Sequence, residues 1–154
     1  MPQTIEDLWP VDLAFADIKT PVAILREQAY LLGQKTNNVI EGEVTSTTED
    51  YSLPYDMVSR IASFTMSEGE LDAMKKNNPT FYHSFYVKVP TLGNYRYKLF
   101  YMEHPINLYP VILHREGKAT KCEDEEEFGE ALRKAFADPN TLRIISSLRS
   151  QSLS

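Results

Sequence analysis

The segment 80–122 constrains the fold more than any other part of the sequence. It contains four runs rich in aromatic and branched residues, TFYHSFYVKV, YRYKLFYMEH, INLYPVILH and ATKC, separated by short connections. Aromatic and β-branched residues favour strands, and connections as short as PTLGN and REGK favour hairpins. The pattern therefore predicts an antiparallel sheet built from consecutive strands.

A further strand is predicted ahead of this segment, in NVIEGEVTSTT. Its valines and threonines suit a half-buried, pleated surface. Gly42 lies inside the run, and a glycine within a strand indicates a bulge or the close approach of another part of the backbone. Pro110, in the third run of the later segment, predicts an edge position or a bulge there.

Helices are predicted on both sides of the strands. Thr20 and Pro21 provide an N-cap and a first-turn proline for VAILREQAYLLGQK, whose apolar residues recur at helical spacing. Near the C-terminus, Asp124 can cap EEEFGEALRKAF, and Asp138-Pro139 begins another helix. In that last helix we expect three apolar residues to face inward, namely Leu142, Ile145 and Leu148.

The 154 residues fit a single domain. We predict one α+β domain over 1–154, in which an N-terminal helix and two C-terminal helices pack on an antiparallel sheet of four or five strands. Within it, 1–19 is expected to form an extended arm laid on the body. Residues 49–79 are expected to form an insertion with a short helix, and 150–154 a loose tail.

Cysteine content and hydropathy limit the cellular compartments in which the protein is expected. The single cysteine, Cys122, rules out a disulfide within one chain and fits a reducing compartment. The start, MPQTIEDLWP, carries acids where a secretory signal carries cations, and no run approaches the ~18 apolar residues that span a bilayer. We therefore expect a cytoplasmic protein with no membrane association.

The net charge of −6 conceals a basic middle segment. Residues 80–121 contain six Lys and Arg against two Asp and Glu, whereas the segments on either side are acidic. The acidic total argues against a general nucleic-acid binder, although the basic segment leaves one face able to meet an anionic partner. Nucleic acid is accordingly not the partner that we favour.

Alternation along NYRYKLFYMEH assigns its side chains to two faces of a strand. The face predicted to hold the helices carries Tyr95, Tyr97, Leu99 and Tyr101. The second face would carry Arg96, Lys98, Phe100, Met102 and His104. We predict that this second face is exposed in part, because it mixes cations with apolar groups.

Six residues of this second face form the candidate binding site. They are Tyr82, Tyr86, Arg96, Lys98, Phe100 and His104. Tyr and Arg are enriched at the centres of protein interfaces, and a ring beside a cation can also stack on a base and pair with an anion. The alternative is an ordinary half-exposed sheet face, in which tyrosine is simply a good strand residue.

No chemical signature accompanies this surface. His83, His104 and His114 lie on consecutive predicted strands, but alternation sends His83 and His104 to opposite faces, so we predict no metal and no cofactor. Glu103 and His104, with Cys122 or a tyrosine, have the groups needed for acid–base chemistry. Nothing in the sequence aligns them, so no catalytic residue is assigned and enzymatic activity is left open.

These features favour a non-catalytic protein-interaction module, such as an inhibitor or immunity-type protein, that binds a protein partner or a second copy of itself. The alternative is a small-ligand or nucleotide-binding protein, with or without weak catalysis, that uses the same face. The two hypotheses differ in shape: a ligand needs a concave pocket, and a protein partner needs a flat or convex exposed patch.

Three stretches of the chain resemble a group of small bacterial proteins of unassigned activity. They are PVAILREQAYLLGQKTNNVIEGEV, FYVKVPTLGNYRYKLFYMEHPINLYPV and EEEFGEALRKAF, with a P-x-x-I-L-R-E-Q-A helix and an N-Y-R-Y-x-L-F strand. The segment 49–79 departs from this pattern as an insertion would. The resemblance implies a bacterial or phage cytoplasmic protein, and it transfers no functional residue.

Overall fold

A computed structural model of the chain describes residues 5–11, 18–49 and 79–154. Its elements, in chain order, are α1 (Pro21–Lys35), β1 (Glu41–Glu49), β2 (Thr80–Val89), a 3-10 turn (Pro90–Leu92), β3 (Tyr95–Pro105), β4 (Val111–Arg115), β5 (Lys118–Cys122), α2 (Glu125–Ala137) and α3 (Pro139–Ser152). The α+β class, the antiparallel sheet and the order of the helices are confirmed. The predicted insertion falls on residues 50–78, which lie outside the described ranges.

The sheet has five strands in the order β1-β2-β3-β4-β5, so each strand pairs with its neighbours in sequence. Every pair is antiparallel. The β4–β5 hairpin turns at Glu116 and Gly117, both of which have positive φ, as a tight two-residue hairpin turn requires. The strands β1 and β5 form the two edges.

Helix α1 packs closely on β1 because Gly42 has no side chain. A Cβ atom at Gly42 would lie 2.4 Å from the Cα of Ala29 and 2.6 Å from its Cβ. Of the two possibilities predicted at this glycine, a bulge or a close backbone approach, the structure contains the close approach. Thr20 caps the helix by accepting a hydrogen bond from the Ala23 amide at 3.2 Å, as the sequence pattern indicates.

The C-terminal helices begin at the predicted caps. Asp124 accepts from the Glu127 amide at 2.8 Å, and Asp138 accepts from the Asn140 amide at 2.8 Å. One expectation for α3 is wrong: Leu142 is 50% exposed, and the buried residues of α3 are Thr141 and Leu148. Helix α3 also continues to Ser152, so it includes much of the segment predicted to be a loose tail.

A β-bulge in β3 overturns part of the predicted face assignment. Phe85 pairs with Phe100 whereas Tyr86 pairs with Lys98, so Leu99 is an extra residue without a partner on β2. Each residue added to one strand reverses the alternation beyond it. Tyr101 therefore points away from the helices, which is the opposite of the prediction.

The same bulge places the second half of β3 inside the core. Phe100, Met102 and His104 are 3%, 0% and 6% exposed, and all three lie on the helix-covered side with Phe85. The prediction that these three residues belong to the exposed face is wrong. The error follows from applying one strict period of two through Leu99.

Two smaller expectations are also corrected. The third strand begins only at Val111, so Pro110 precedes it, with a cis Tyr109–Pro110 bond, and lies outside the ladder. In the described part of the predicted arm, Trp9 is 72% exposed and Leu8 84%. Residues 5–11 therefore do not rest on the body as expected.

None of the helices in the described ranges is long and apolar enough to cross a membrane.

Candidate functional site

The helices of the described ranges pack on one face of the sheet, and the opposite face is the candidate site. We call it the open face. Its side chains on the inner strands are Tyr82, Ser84, Tyr86, Lys88, Arg96, Lys98, Tyr101, Glu103, Ile112 and His114. Each of these residues is half-buried or exposed, whereas the residues that alternate with them along β2 form the core.

Arg96 and Tyr86 form the first ordered group on the open face. The Arg96 guanidinium carbon lies 4.1 Å from the centre of the Tyr86 ring, which is a cation–π contact. Its Nε also donates to Glu43 Oε2 at 3.1 Å. Arg96 is therefore held from both sides, and the Tyr86 ring is held by Arg96.

A second group runs across β3 and β4. Lys98 Nζ lies 4.9 Å from the centre of the Tyr101 ring, and that ring stacks on His114 with centroids 4.4 Å apart and planes 8° apart. His114 Nε2 in turn lies 3.2 Å from Glu103 Oε1. Lysine, phenol, imidazole and carboxylate thus form one continuous contact chain on the surface.

The cations at the centre of the open face are not neutralised by the rest of the described chain. Neither Lys88 nor Lys98 forms an ion pair within the described ranges, although Arg96 does so with Glu43. The acids Glu41 and Glu43 lie on the edge strand β1. The open face therefore has a positive centre and an acidic edge.

The structure divides the six predicted binding residues between two faces. Tyr82, Tyr86, Arg96 and Lys98 lie on the open face, as expected. Phe100 and His104 lie on the helix-covered face, for the reason given by the bulge at Leu99. The six residues cannot form one surface, and Tyr101 and His114 take the places that the prediction gave to Phe100 and His104.

A shallow groove lies at one end of the open face. It occurs where β3, at its bulge, separates from the β4–β5 hairpin, and it has a volume of about 480 Å³. The side chains that line it include Lys98, Tyr101, His114 and Lys118. The groove is open to solvent and is not an enclosed pocket.

A separate polar cluster lies under the helices. His83 Nε2 is 3.0 Å from His104 Nε2, His83 Nδ1 is 2.7 Å from Ser46 Oγ, and His104 Nδ1 is 2.7 Å from the Pro105 carbonyl oxygen. The two histidines are each 6% exposed. The predicted placement of His83 and His104 on opposite faces is therefore wrong, since they are hydrogen-bonded neighbours.

Burial changes the acid–base properties of this cluster. Loss of hydration, together with the electrostatic influence of the nearby His104 and Arg26, lowers the pKa of His83 from 6.5 to about 4. His83 is therefore neutral at physiological pH. Its two ring nitrogens serve as one donor and one acceptor.

The residues considered for acid–base chemistry do not converge. Glu103 lies on the open face beside His114, and His104 lies on the other face. Cys122 is buried, and burial raises the pKa of its thiol above the ordinary value, so it is not poised as a thiolate. No local sequence signal assigns Ser46 to the cluster of His83 and His104. Only the β1–β2 register, which pairs Ser46 with His83, brings it there.

Comparisons with known proteins return no relative. No family model matches the chain, and neither the curated proteins nor the solved structures contain a significant match.

Proposed function

We propose that the protein is a protein-interaction module that binds a protein partner through the open face. The observation that carries this proposal is the ordered arrangement of tyrosines and cations on that face, with Arg96 against Tyr86 and Lys98 against Tyr101. Tyrosine and arginine are the residue types that contribute most to interface binding energy. An inhibitor or immunity-type role belongs to this class.

Preorganisation supports the same proposal. Binding costs about 0.5–1.5 kcal/mol for each flexible side chain that becomes immobile. Arg96 is already fixed by Tyr86 and Glu43, and Tyr101 by His114. A partner that covers these groups loses less of its binding energy to side-chain ordering than it would on a surface of free lysines.

The charge distribution indicates the chemistry of the partner. Lys88 and Lys98 lie among rings at the centre of the face, without an ion pair in the described ranges. A partner surface that presents carboxylates, bordered by groups that can pack on tyrosine, would complement them. The acidic strand β1 would then disfavour a uniformly acidic polymer such as nucleic acid.

A pull-down from the native host tests the proposal. The tagged wild type is compared with a Tyr86→Ala, Arg96→Ala double variant and with a matched Tyr30→Ala, Arg133→Ala control, whose residues are exposed on α1 and α2. We expect one stoichiometric partner that the control retains. The double variant should lose about 2 kcal/mol or more, which is about 30-fold in affinity.

Two results would contradict the proposal. A partner retained equally by both variants would place the contact off the open face. Loss of the partner from the control alone would place it on the helices. A wild-type protein that captures only a second copy of itself at the open face would identify self-association as the interaction.

The groove beside Lys98 supports a second candidate function, the binding of a small anionic ligand. Lys98, His114 and Lys118 could meet a phosphate or carboxylate, and Tyr101 could stack on a ring. Its open shape favours weak binding. Titration with a nucleoside triphosphate, followed by NMR, should shift these residues in the wild type and not in a Lys98→Ala, Lys118→Ala variant if the groove is a ligand site.

A further inference from the structure

A hydrogen-bonded chain of Ser46, His83 and His104 crosses three adjacent strands on the side away from the open face. We propose that this chain is a catalytic site for acyl transfer, in which Ser46 attacks a carboxylic ester and His83 is its general base. His104 is a positioning residue that fixes the His83 ring. The proposal is independent of the interaction function, because Ser46, His83 and His104 do not lie on the open face.

The Pro105 carbonyl oxygen, at the end of this series of hydrogen bonds, determines which nitrogen of each histidine carries the hydrogen. The Pro105 carbonyl oxygen can only accept, so His104 Nδ1 must carry a hydrogen. A neutral His104 then has a lone pair at Nε2, so His83 Nε2 must donate to it. His83 Nδ1 is left as an acceptor, and the Ser46 hydroxyl donates to it.

The ring geometry agrees with this assignment. The centroids of His83 and His104 are 5.1 Å apart and their planes differ by 19°, while the facing nitrogens are 3.0 Å apart. The centroid separation exceeds the nitrogen separation by roughly the sum of the two ring radii, as expected for rings that meet end to end through an N–H···N bond.

The accessibility of the three residues suits a nucleophile, a base and an orienting group. Ser46 is exposed on the edge strand β1, whereas His83 and His104 are only 6% exposed. A substrate could approach Ser46 from the edge of the sheet while the base remains shielded from bulk water. An activated serine requires this arrangement, in which the nucleophile is accessible to the substrate and the base and orienting group are shielded.

The electrostatic surroundings suit a developing negative charge. Arg26 lies close enough to His83 for its charge to affect that ring. The Arg26 guanidinium, on the helix that packs against β1, would favour an oxyanion formed beside His83.

The proposed reaction uses only the ester and water. Ser46 Oγ forms a bond to the carbonyl carbon while its proton moves to His83 Nδ1, giving an imidazolium whose Nε2–H remains hydrogen-bonded to His104 Nε2. The bond from that carbon to the leaving oxygen breaks as His83 returns the proton to it. Water, activated by His83, then releases the carboxylic acid from Ser46 and restores the hydroxyl.

A fluorophosphonate probe tests the assignment on the full-length protein. It forms a stable bond to an activated serine, and peptide mass mapping identifies the labelled residue. We expect labelling at Ser46 about 100-fold faster than at Ser84, which lies on the neighbouring strand but on the open face. The Ser84→Ala variant should be labelled like the wild type, and Ser46→Ala should not be labelled. Labelling of Ser46 no faster than Ser84 would overturn the proposal. The hydrogen bonds among Ser46, His83 and His104 would then serve only to pair the ring nitrogens of two buried histidines.

The pH profile of the wild type gives a readout that does not depend on any variant folding. With His83 as base, the labelling rate should be flat between about pH 6 and 9, whereas an unassisted hydroxyl should react about tenfold faster for each pH unit. The His104→Gln variant should move the acid limb to higher pH, because it removes a group that disfavours the charged His83. A wild-type rate that rises steadily with pH would contradict the proposal, as would an unmoved acid limb in a folded His104→Gln protein.

Discussion

His83 Nε2 lies 3.0 Å from His104 Nε2 beneath the helices, on neighbouring strands of the sheet. The two rings share this contact only because the bulge at Leu99 turns His104 toward the helices. The same bulge turns Tyr101 outward, where it stacks on His114. One inserted residue thus determines the composition of both the buried polar cluster and the open face.

The buried pair makes stability depend on pH. Unfolded His83 binds a proton below its ordinary pKa of 6.5, whereas in the folded protein it does so only below about 4. Between these values the unfolded state holds more protons, so the free energy of unfolding falls as the pH is lowered from 6.5 toward 4. The full shift corresponds to a loss of about 3 kcal/mol, and urea unfolding at a series of pH values measures it.

Two variants isolate the contribution of His83 to that pH dependence. His83→Gln should lose this step, because no titrating ring remains at the position. His114→Gln should keep it, since His114 lies on the open face and does not contact His83. Equal pH dependence in the wild type and in a folded His83→Gln protein would show that His83 is not the titrating group.

Two glycine-to-alanine substitutions should change stability in opposite directions. Gly42→Ala places a methyl group 2.4 Å from the Ala29 backbone and should separate α1 from β1, at a cost of about 2 kcal/mol or more. Gly129 lies in α2, where an added Cβ would meet no other part of the protein within 4 Å, so Gly129→Ala should stabilise the protein by about 0.5–1 kcal/mol. Thermal unfolding measures both. A tolerated Gly42→Ala would contradict the close helix–strand contact.

Deletion of single residues tests the bulge. Without Leu99, Phe100 still pairs with Phe85 and Lys98 with Tyr86, so both faces of β3 are preserved. The deletion should lose only the packing of the Leu99 side chain, about 1–3 kcal/mol. Deletion of Tyr101 should cost more, because β3 can then keep its register beyond residue 101 only by placing Phe100 on the open face. Denaturant unfolding and near-UV circular dichroism compare the two, and equal damage from both deletions would contradict the bulge.

Much of the fold follows from local sequence signals. The caps at Thr20, Asp124 and Asp138 and the close contact at Gly42 each have a local physical cause, and the structure contains all four. Local sequence signals do not predict the bulge at Leu99, because Leu99 and Phe100 are both apolar and strand-forming. No residue type marks which of them is the extra one, since the choice is made by pairing with β2.

The candidate sites depend on the same long-range information. Ser46 and His83 are 37 positions apart in the chain, and only strand pairing joins them. One local signal was present, since His83 alternates with Phe85, Val87 and Val89 on a buried face. A histidine in such a run requires a buried hydrogen-bond partner, but the sequence does not say which residue supplies it.

Cysteine footprinting on the isolated complex is the most direct test of binding at the open face. The native Cys122 is 1% exposed, so it interferes little with a reporter introduced as Lys98→Cys on the open face or Lys134→Cys on α2. In the free protein both reporters should react with iodoacetamide. The stoichiometric partner should slow alkylation at 98 at least about tenfold and leave 134 unchanged. Protection at 134 with none at 98 would contradict binding through the open face.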